Sequence, residues 1–491
     1  MLEETSDSDS ASRSGADGPR HGIADRAGFV LLLGTLALCP LPDGSVELVW
    51  TLVWGALTCL CVLLLSYRSV SGAPALVIAA CGSLAGGFIA VALLQSQASG
   101  FLPQSIWPQA SGLLGIDLPA LSTAVRDAPL LATGGPLLAS LLFIAGVVVS
   151  DDARRVELIF RVLIVVACLS GLLGLVALIF DIDALRPTDV PGALTTFFLN
   201  KNTTSTYLGS AFLLCLVLIL HHLSAVLRKS GGTLPSIEAV IPSGTQRRVF
   251  IGLVASALVL GLLIPLAKSR SSLAITVVLA AIGCLVVLWR QARAWKFMVP
   301  LALAIFAVGY VFVGQGLRAR VAQRGLDDEN RSEVYRSVIE GIAQHPILGT
   351  GLGTFPSVFP ALRSDDIDIG GVWNMAHSTP LELALTGGLP LMAGVAAFFC
   401  LCFVLLVRGV IRRPHDPYIL GALLVGVLGV LHSTVDFTLQ ITGYLMIYAA
   451  VTGIGVGRAL RQPSSGLFDK VRRRRSAEAG DSEGSPFRSG G

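Results

Sequence analysis

His377, in the segment WNMAHSTPLELALTGG, is well suited by residue type and position to exchange a proton near neutral pH. It lies near the end of a polar stretch, Gly314 to Glu382, that is dense in Arg, acid and His and separates two hydrophobic runs. Glu382 follows five residues later, at the start of the next helix, where it can orient the imidazole or meet the helix dipole. Upstream, NRSEVYRSVIEGIAQHPILGTGLGTF spaces Arg331, Tyr335, Val338 and Ile342 by three and four. This predicts a helix capped by Asn330 and ended at His345-Pro346. Arg331 and Tyr335 would share a face, with Arg336 about a hundred degrees round from Tyr335. Guanidinium forks offer several oriented donors of fixed charge, which suits a diphosphate. The alternative is a solvated face on which Arg331 or Arg336 pairs with Glu333, Glu340 or Asp327.

Further polar groups stand between hydrophobic runs. Lys268, Ser269 and Arg270 form one, Asn200, Lys201 and Asn202 another. His432 and Asp436 flank the connection between the last two runs, where a hydrogen-bonded pair between helices is the plain expectation. Snorkelling toward lipid phosphate is the corresponding alternative for Arg270. The glycines of Gly349-Thr350-Gly351-Leu352-Gly353 lack the strand and the following acid of a dinucleotide fingerprint. They are expected to turn the chain after the helix, with anion binding by their amides as the alternative. Trp107, in a Pro-rich stretch, reads as an interfacial aromatic or as a platform for a sugar ring.

These groups need a membrane scaffold. Of 491 residues, 53% are hydrophobic and 14% charged, and the mean hydropathy is +0.74; a soluble domain is roughly a quarter charged. Apolar runs long enough to cross a bilayer as helices recur along the chain. Spans are expected near 27–41, 46–66, 73–94, 132–150, 156–180, 204–223, 248–267, 271–289, 296–313, 383–407, 417–435 and 438–457, so about twelve transmembrane helices. The fold class is therefore an all-α polytopic membrane protein. The chain divides into a polar N-terminus (1–26), helices 1–9 (27–313), the large loop (314–382), helices 10–12 (383–457) and a basic tail (458–491). The first span lacks a small-residue cleavage site after it and is expected to be retained.

Basic residues set the topology. Arg68, Arg154, Arg155, Arg228, Lys229, Arg408, Arg412 and Arg413 fall in connections on the side of both termini, which predicts that both termini are cytoplasmic. The run Arg472 to Arg475 then reads as a lipid anchor, and nucleic acid is not an expected partner. The large loop faces outward, yet it carries Arg318, Arg320, Arg324, Arg331, Arg336 and Arg363. Arginines on the outward side call for another reason, such as an anionic ligand. The nine cysteines lie in or beside apolar runs with no metal-ligand spacing, so neither disulfides nor a metal site are expected.

Taken together, NKNTTSTYL (200–208), AKSRSSL (267–273), RSEVYRSVIEGIAQHPILGTGLGTF (331–355), AHSTPLE (376–382) and HSTVDF (432–437) resemble the O-antigen ligase and polysaccharide polymerase superfamily over most of residues 45–457. The resemblance implies a GT-C-like bacterial inner-membrane enzyme with one large periplasmic loop. It implies transfer of glycan from a polyprenyl-diphosphate-linked donor to a glycan or lipid acceptor, by inversion and with no metal or other cofactor. By the resemblance, Arg270 and Arg331 hold the diphosphate and His377 deprotonates the acceptor. Arg336, Lys201, Lys268, Tyr335 and Glu382 are the accompanying substrate-binding candidates; Tyr335 stands where many members have Trp. Membrane lipid, and a chain-length regulator or flippase, are the further expected partners. Overall resemblance leans toward polymerase over ligase, and a transporter of an anionic glycolipid is the alternative of another class.

Overall fold

The computed structural model describes residues 22–65, 70–98, 101–182, 192–198, 200–229, 240–288, 329–364 and 373–461. Their regular structure is entirely helical, as lipid demands of segments whose backbone groups must bond internally. In chain order the helices are α1 (Ile23–Leu38), α2 (Leu48–Leu65), α3 (Ala73–Ser96), α4 (Ile106–Leu114), α5 (Ala128–Ala132), α6 (Gly134–Val149), α7 (Ala153–Ile179) and α8 (Lys201–Lys229). They continue with α9 (Thr245–Leu266), α10 (Arg270–Leu288), α11 (Glu329–Gln344), α12 (Phe355–Leu362), α13 (Thr379–Gly387), α14 (Leu389–Arg412), α15 (Pro417–Ser433) and α16 (Thr442–Leu460). Nine spans among the described residues are long and apolar enough to cross a membrane, one of them formed by α5 and α6 together. The shorter α1 and α15 fall on two more of the twelve expected spans. The expected span at 296–313 lies outside the described residues, as do Arg318, Arg320, Arg324 and most of both terminal segments.

The bundle is built around α16, the most buried and least hydropathic of the nine spans, which packs extensively on α6. Small residues allow that crossing. A Cβ on Gly453 would sit 2.2 Å from the Phe143 carbonyl oxygen, and one on Gly146 2.4 Å from that of Ala450. Lipid tails are as apolar as leucine, so close backbone approach and dispersion hold such helices together. At the far end of the bundle, Arg155 of α7 donates hydrogen bonds of 3.2 and 2.6 Å to Asp25 of α1. Both side chains are buried, and the guanidinium lies 4.7 Å from the Phe29 ring centre.

The polar loop has its own small core, in which Val334 and Val338 of α11 meet Phe355, Phe359, Ala376 and Leu385. The predicted helix is present, but its buried face is centred on Val334 and Val338, with Tyr335 and Ile342 at the edge. Its end coincides with the turn at His345, as the proline predicts. The expected continuous span from 383 is broken at Gly388, whose φ of +83° and contact with Ile347 exclude a side chain. A Cβ there would lie 2.0 Å from the Ile347 oxygen, so α13 belongs to the loop and the span begins at Leu389.

One buried side chain ties this loop to the bundle. Gln95, at the end of α3, donates from Nε2 to the carbonyls of Leu348 (2.5 Å) and Thr386 (2.9 Å). Its Oε1 accepts from the Leu352 amide at 2.9 Å. Thr350 and Gly351 donate their amides to Leu385 and Thr386 carbonyls at 2.8 and 3.0 Å. The amides of this glycine-rich turn are thus taken by protein acceptors, which favours the turn over the anion-binding alternative. Replacing Gln95 with Leu would leave the Leu348 carbonyl and the Leu352 amide unpaired in a buried place, while the Thr386 carbonyl keeps the Gly351 amide. The expected cost is about 3 kcal/mol, read as a lower Tm of the detergent-solubilised protein and faster proteolytic nicking within 340–388.

Candidate active site

The long connections converge on the segment between α15 and α16. Asn200 caps the start of α8, its Oδ1 accepting from the Asn202 amide at 2.6 Å. Asn202 then donates from Nδ2 to Asp436 Oδ2. His432, fully buried, meets Thr206 and Thr438 hydroxyls at 2.9 Å through Nδ1 and Ser271 Oγ at 3.1 Å through Nε2. His432 and Asp436 therefore each bridge to α8, while the expected bond between helices does not join them to one another. Ser271 adjoins Arg270, so the N-terminus of α10 abuts the same segment.

Arg331 reaches this segment from the loop, its Nη1 donating to the Val435 carbonyl at 3.1 Å. Burial raises the pKa of Asp436, while the Phe437 amide, Arg331, Asn202 and Lys201 pull it down. Arg331 and Lys201 thus both act electrostatically on one carboxylate. Arg336 is placed differently. It is exposed, and its guanidinium meets Glu333 at 3.2 Å, the solvated arrangement weighed as the alternative. Lys268 is exposed with a φ of +54°, and its Nζ would be 3.0 Å from a Cβ on Gly192. Trp107 donates from Nε1 to the Thr123 carbonyl at 2.8 Å.

His377 is held by its main chain. Tyr335 donates its hydroxyl to the His377 carbonyl at 2.8 Å, and Glu382 Oε2 accepts from the preceding Ala376 amide at 2.8 Å. The φ of His377 is +53°, an uncommon backbone state for a residue with a side chain. Its ring is bracketed edge-on by Trp373 and Phe437, with centroids 5.4 and 4.9 Å away. Trp373 stands four residues before His377 in the same segment, but sequence spacing gave no sign of Phe437, which is sixty residues distant in the chain. Tyr335 and Glu382 thus both hold the backbone around His377.

Beside Glu382 a cavity of about 480 Å³ opens between α3, α6, α14 and α16. Glu382, Thr379 and Gln440 stand at one end of its wall, and Phe143, Phe398 and Tyr448 line it within the bundle. From Thr442 to Thr452 the cavity follows α16 for roughly 15 Å, about half the hydrocarbon depth of a bilayer. A polar mouth with cations nearby and an apolar channel below suit a molecule with a charged head and a hydrocarbon tail.

Residues 254–396 match a family model described as O-antigen ligase. Over those residues the chain is similar to O-antigen ligases. The match supports membership of the O-antigen ligase superfamily and a glycan-transfer role of the ligase or polymerase type. No curated protein matches the sequence. The matched residues include Arg270, Arg331, Tyr335, His377 and Glu382; Lys201, Asn202 and His432, on helices, and Asp436, in the connection before α16, lie outside them.

Burial pushes the pKa of Glu382 up to about 7 from an ordinary 4.5, against the Ala376 amide and the Gln440 side chain, which lower it. Between those values the folded chain keeps a proton that the unfolded chain releases. Stability present below pH 4.5 is thus lost as pH rises and levels off above about 7. Glu382→Gln should flatten this slope, worth on the order of 3 kcal/mol, in Tm measured across that pH window. An unchanged slope would assign it to another group.

Proposed function

We propose that this protein is a glycosyltransferase working at the outer face of the bacterial inner membrane, moving glycan from a polyprenyl-diphosphate donor to an acceptor hydroxyl. The observation that carries the reading is the meeting of Arg331, Lys201 and the N-terminus that bears Arg270 at the 432–438 segment, beside His377 and the mouth of an apolar cavity. His377 removes the proton of the acceptor hydroxyl, whose oxygen attacks the anomeric carbon of the donor sugar. The bond from that carbon to the diphosphate oxygen breaks with inversion, and the electron pair leaves with the polyprenyl diphosphate. Arg270 and Arg331 stabilise the growing charge, so that neither metal nor nucleotide is required. The cavity receives the first part of the hydrocarbon chain, the remainder lying in lipid.

The same reading covers polymerisation of repeat units and ligation to a lipid acceptor, which differ in the acceptor and not in the bond made. It places both termini in the cytoplasm, and a chain-length regulator or flippase beside the protein.

The test is transfer by purified protein from a defined lipid-diphosphate glycan in EDTA. Product should form without added metal and fall by about 100-fold in His377→Ala or His377→Asn, the latter tolerating the left-handed backbone. Arg331→Lys and Arg270→Lys should each lower the rate roughly tenfold or more, because a point charge does not replace a fork. Full activity in the His377 variants would remove the base from the scheme, and loss in EDTA restored by Mg²⁺ would remove metal independence.

A further inference from the structure

At the opposite end of the bundle a second cavity, of about 730 Å³, opens between α7, α8, α9 and the turn from α14 to α15. Arg161, His221, His222, Arg412, Arg413 and Asp416 line it. It is remote from the candidate active site, because Lys201 and His222 sit toward opposite ends of α8, and Leu389 and Arg412 begin and end α14. His221 precedes the end of α8 by eight residues, so the polar wall reaches roughly 12 Å into the bundle. Ionisable groups at such depth are expensive unless they are paired or serve a ligand.

Pairing accounts for only part of this wall. Glu157 accepts from Arg161 one turn away, and Asp416 accepts from Arg458 at 2.6 to 3.1 Å. Both carboxylates therefore already have an arginine, and Arg412 and Arg413 remain beside them. Arg413 donates from Nη1 to the Arg458 carbonyl at 3.0 Å. Its Nη2 is buried and finds no acceptor among the described residues. Arg228 donates to His415 Nδ1 at 2.9 Å, which adds a further cation beside the same turn. The cavity is open to solvent on the side of Arg412 and His415, while the Arg413 Nη2 lies buried in its wall.

We propose that this cavity binds a phosphate group, carried by an anionic lipid headgroup or by a small soluble phosphate. A guanidinium with an unused N–H matches phosphate oxygens in geometry and charge, and nothing in glycan transfer uses these residues. The inference stands independently of the transfer scheme.

The full-length protein is placed in phosphatidylcholine nanodiscs with or without phosphatidylglycerol, and retained phosphatidylglycerol is counted by native mass spectrometry. In parallel, inorganic phosphate is titrated into phosphatidylcholine-only samples while Tm is followed. Retention of phosphatidylglycerol with no response to inorganic phosphate assigns a lipid ligand; stabilisation by inorganic phosphate assigns a soluble one. Arg161→Gln combined with Arg412→Gln should weaken the binding observed roughly tenfold. Arg154→Gln, an exposed arginine outside the cavity at the same end of the bundle, should leave it unchanged. His222→Gln provides the same reading if the double variant does not fold. Binding of neither probe, or equal loss in Arg154→Gln, overturns the proposal.

Discussion

Gln95 carries a burden that helices alone cannot. A membrane bundle satisfies its backbone within each helix, but a loop that folds back onto the bundle brings carbonyls and amides with no such partners. One carboxamide has two donors and an acceptor, and in Gln95 all three functions meet the loop's turn and the end of α13. The small core beneath α11 is then fixed relative to α3, and through the break at Gly388 relative to α14. The position of His377 follows from that attachment, since the residue lies between the loop core and the first turn of α13.

The candidate site is assembled from pieces that no single element could hold. The loop supplies Arg331 and His377, α8 supplies Lys201 and Asn202, and the segment before α16 supplies the carbonyl and carboxylate they meet. Asp436 keeps cations close without being exposed itself, as a buried carboxylate with several donors can. The apolar cavity beside it lies between helices, where a bundle can open without leaving backbone groups unpaired.

Much of this was legible from residue order. Apolar runs announced the helices because lipid leaves no other economical backbone, and His345-Pro346 announced the end of α11. Arg331 and Tyr335 shared a helical face as their spacing required, but the spacing of four residues was silent on what lay opposite. The sequence could not reveal that Tyr335 bonds the backbone of His377, or that Phe437 closes over its ring, because both contacts are set by tertiary packing. Arg336 illustrates the same limit in reverse: a charged neighbour three residues away on its own helix competes with any groove. The interruption at Gly388 was hidden because apolar residues continue on both sides of it.

The grip on the main chain at 376–377 separates two jobs that catalytic loops often combine. Tyr335 and Glu382 hold peptide groups, and those groups are the same whatever side chain residue 377 bears. These two bonds are therefore independent of the side chain at 377, while the φ of +53° and the ring's contacts with Trp373 and Phe437 are not. Asparagine, which tolerates the left-handed backbone, could replace histidine here with both main-chain bonds kept and the imidazole lost, so a shared loop shape does not by itself carry a shared reaction.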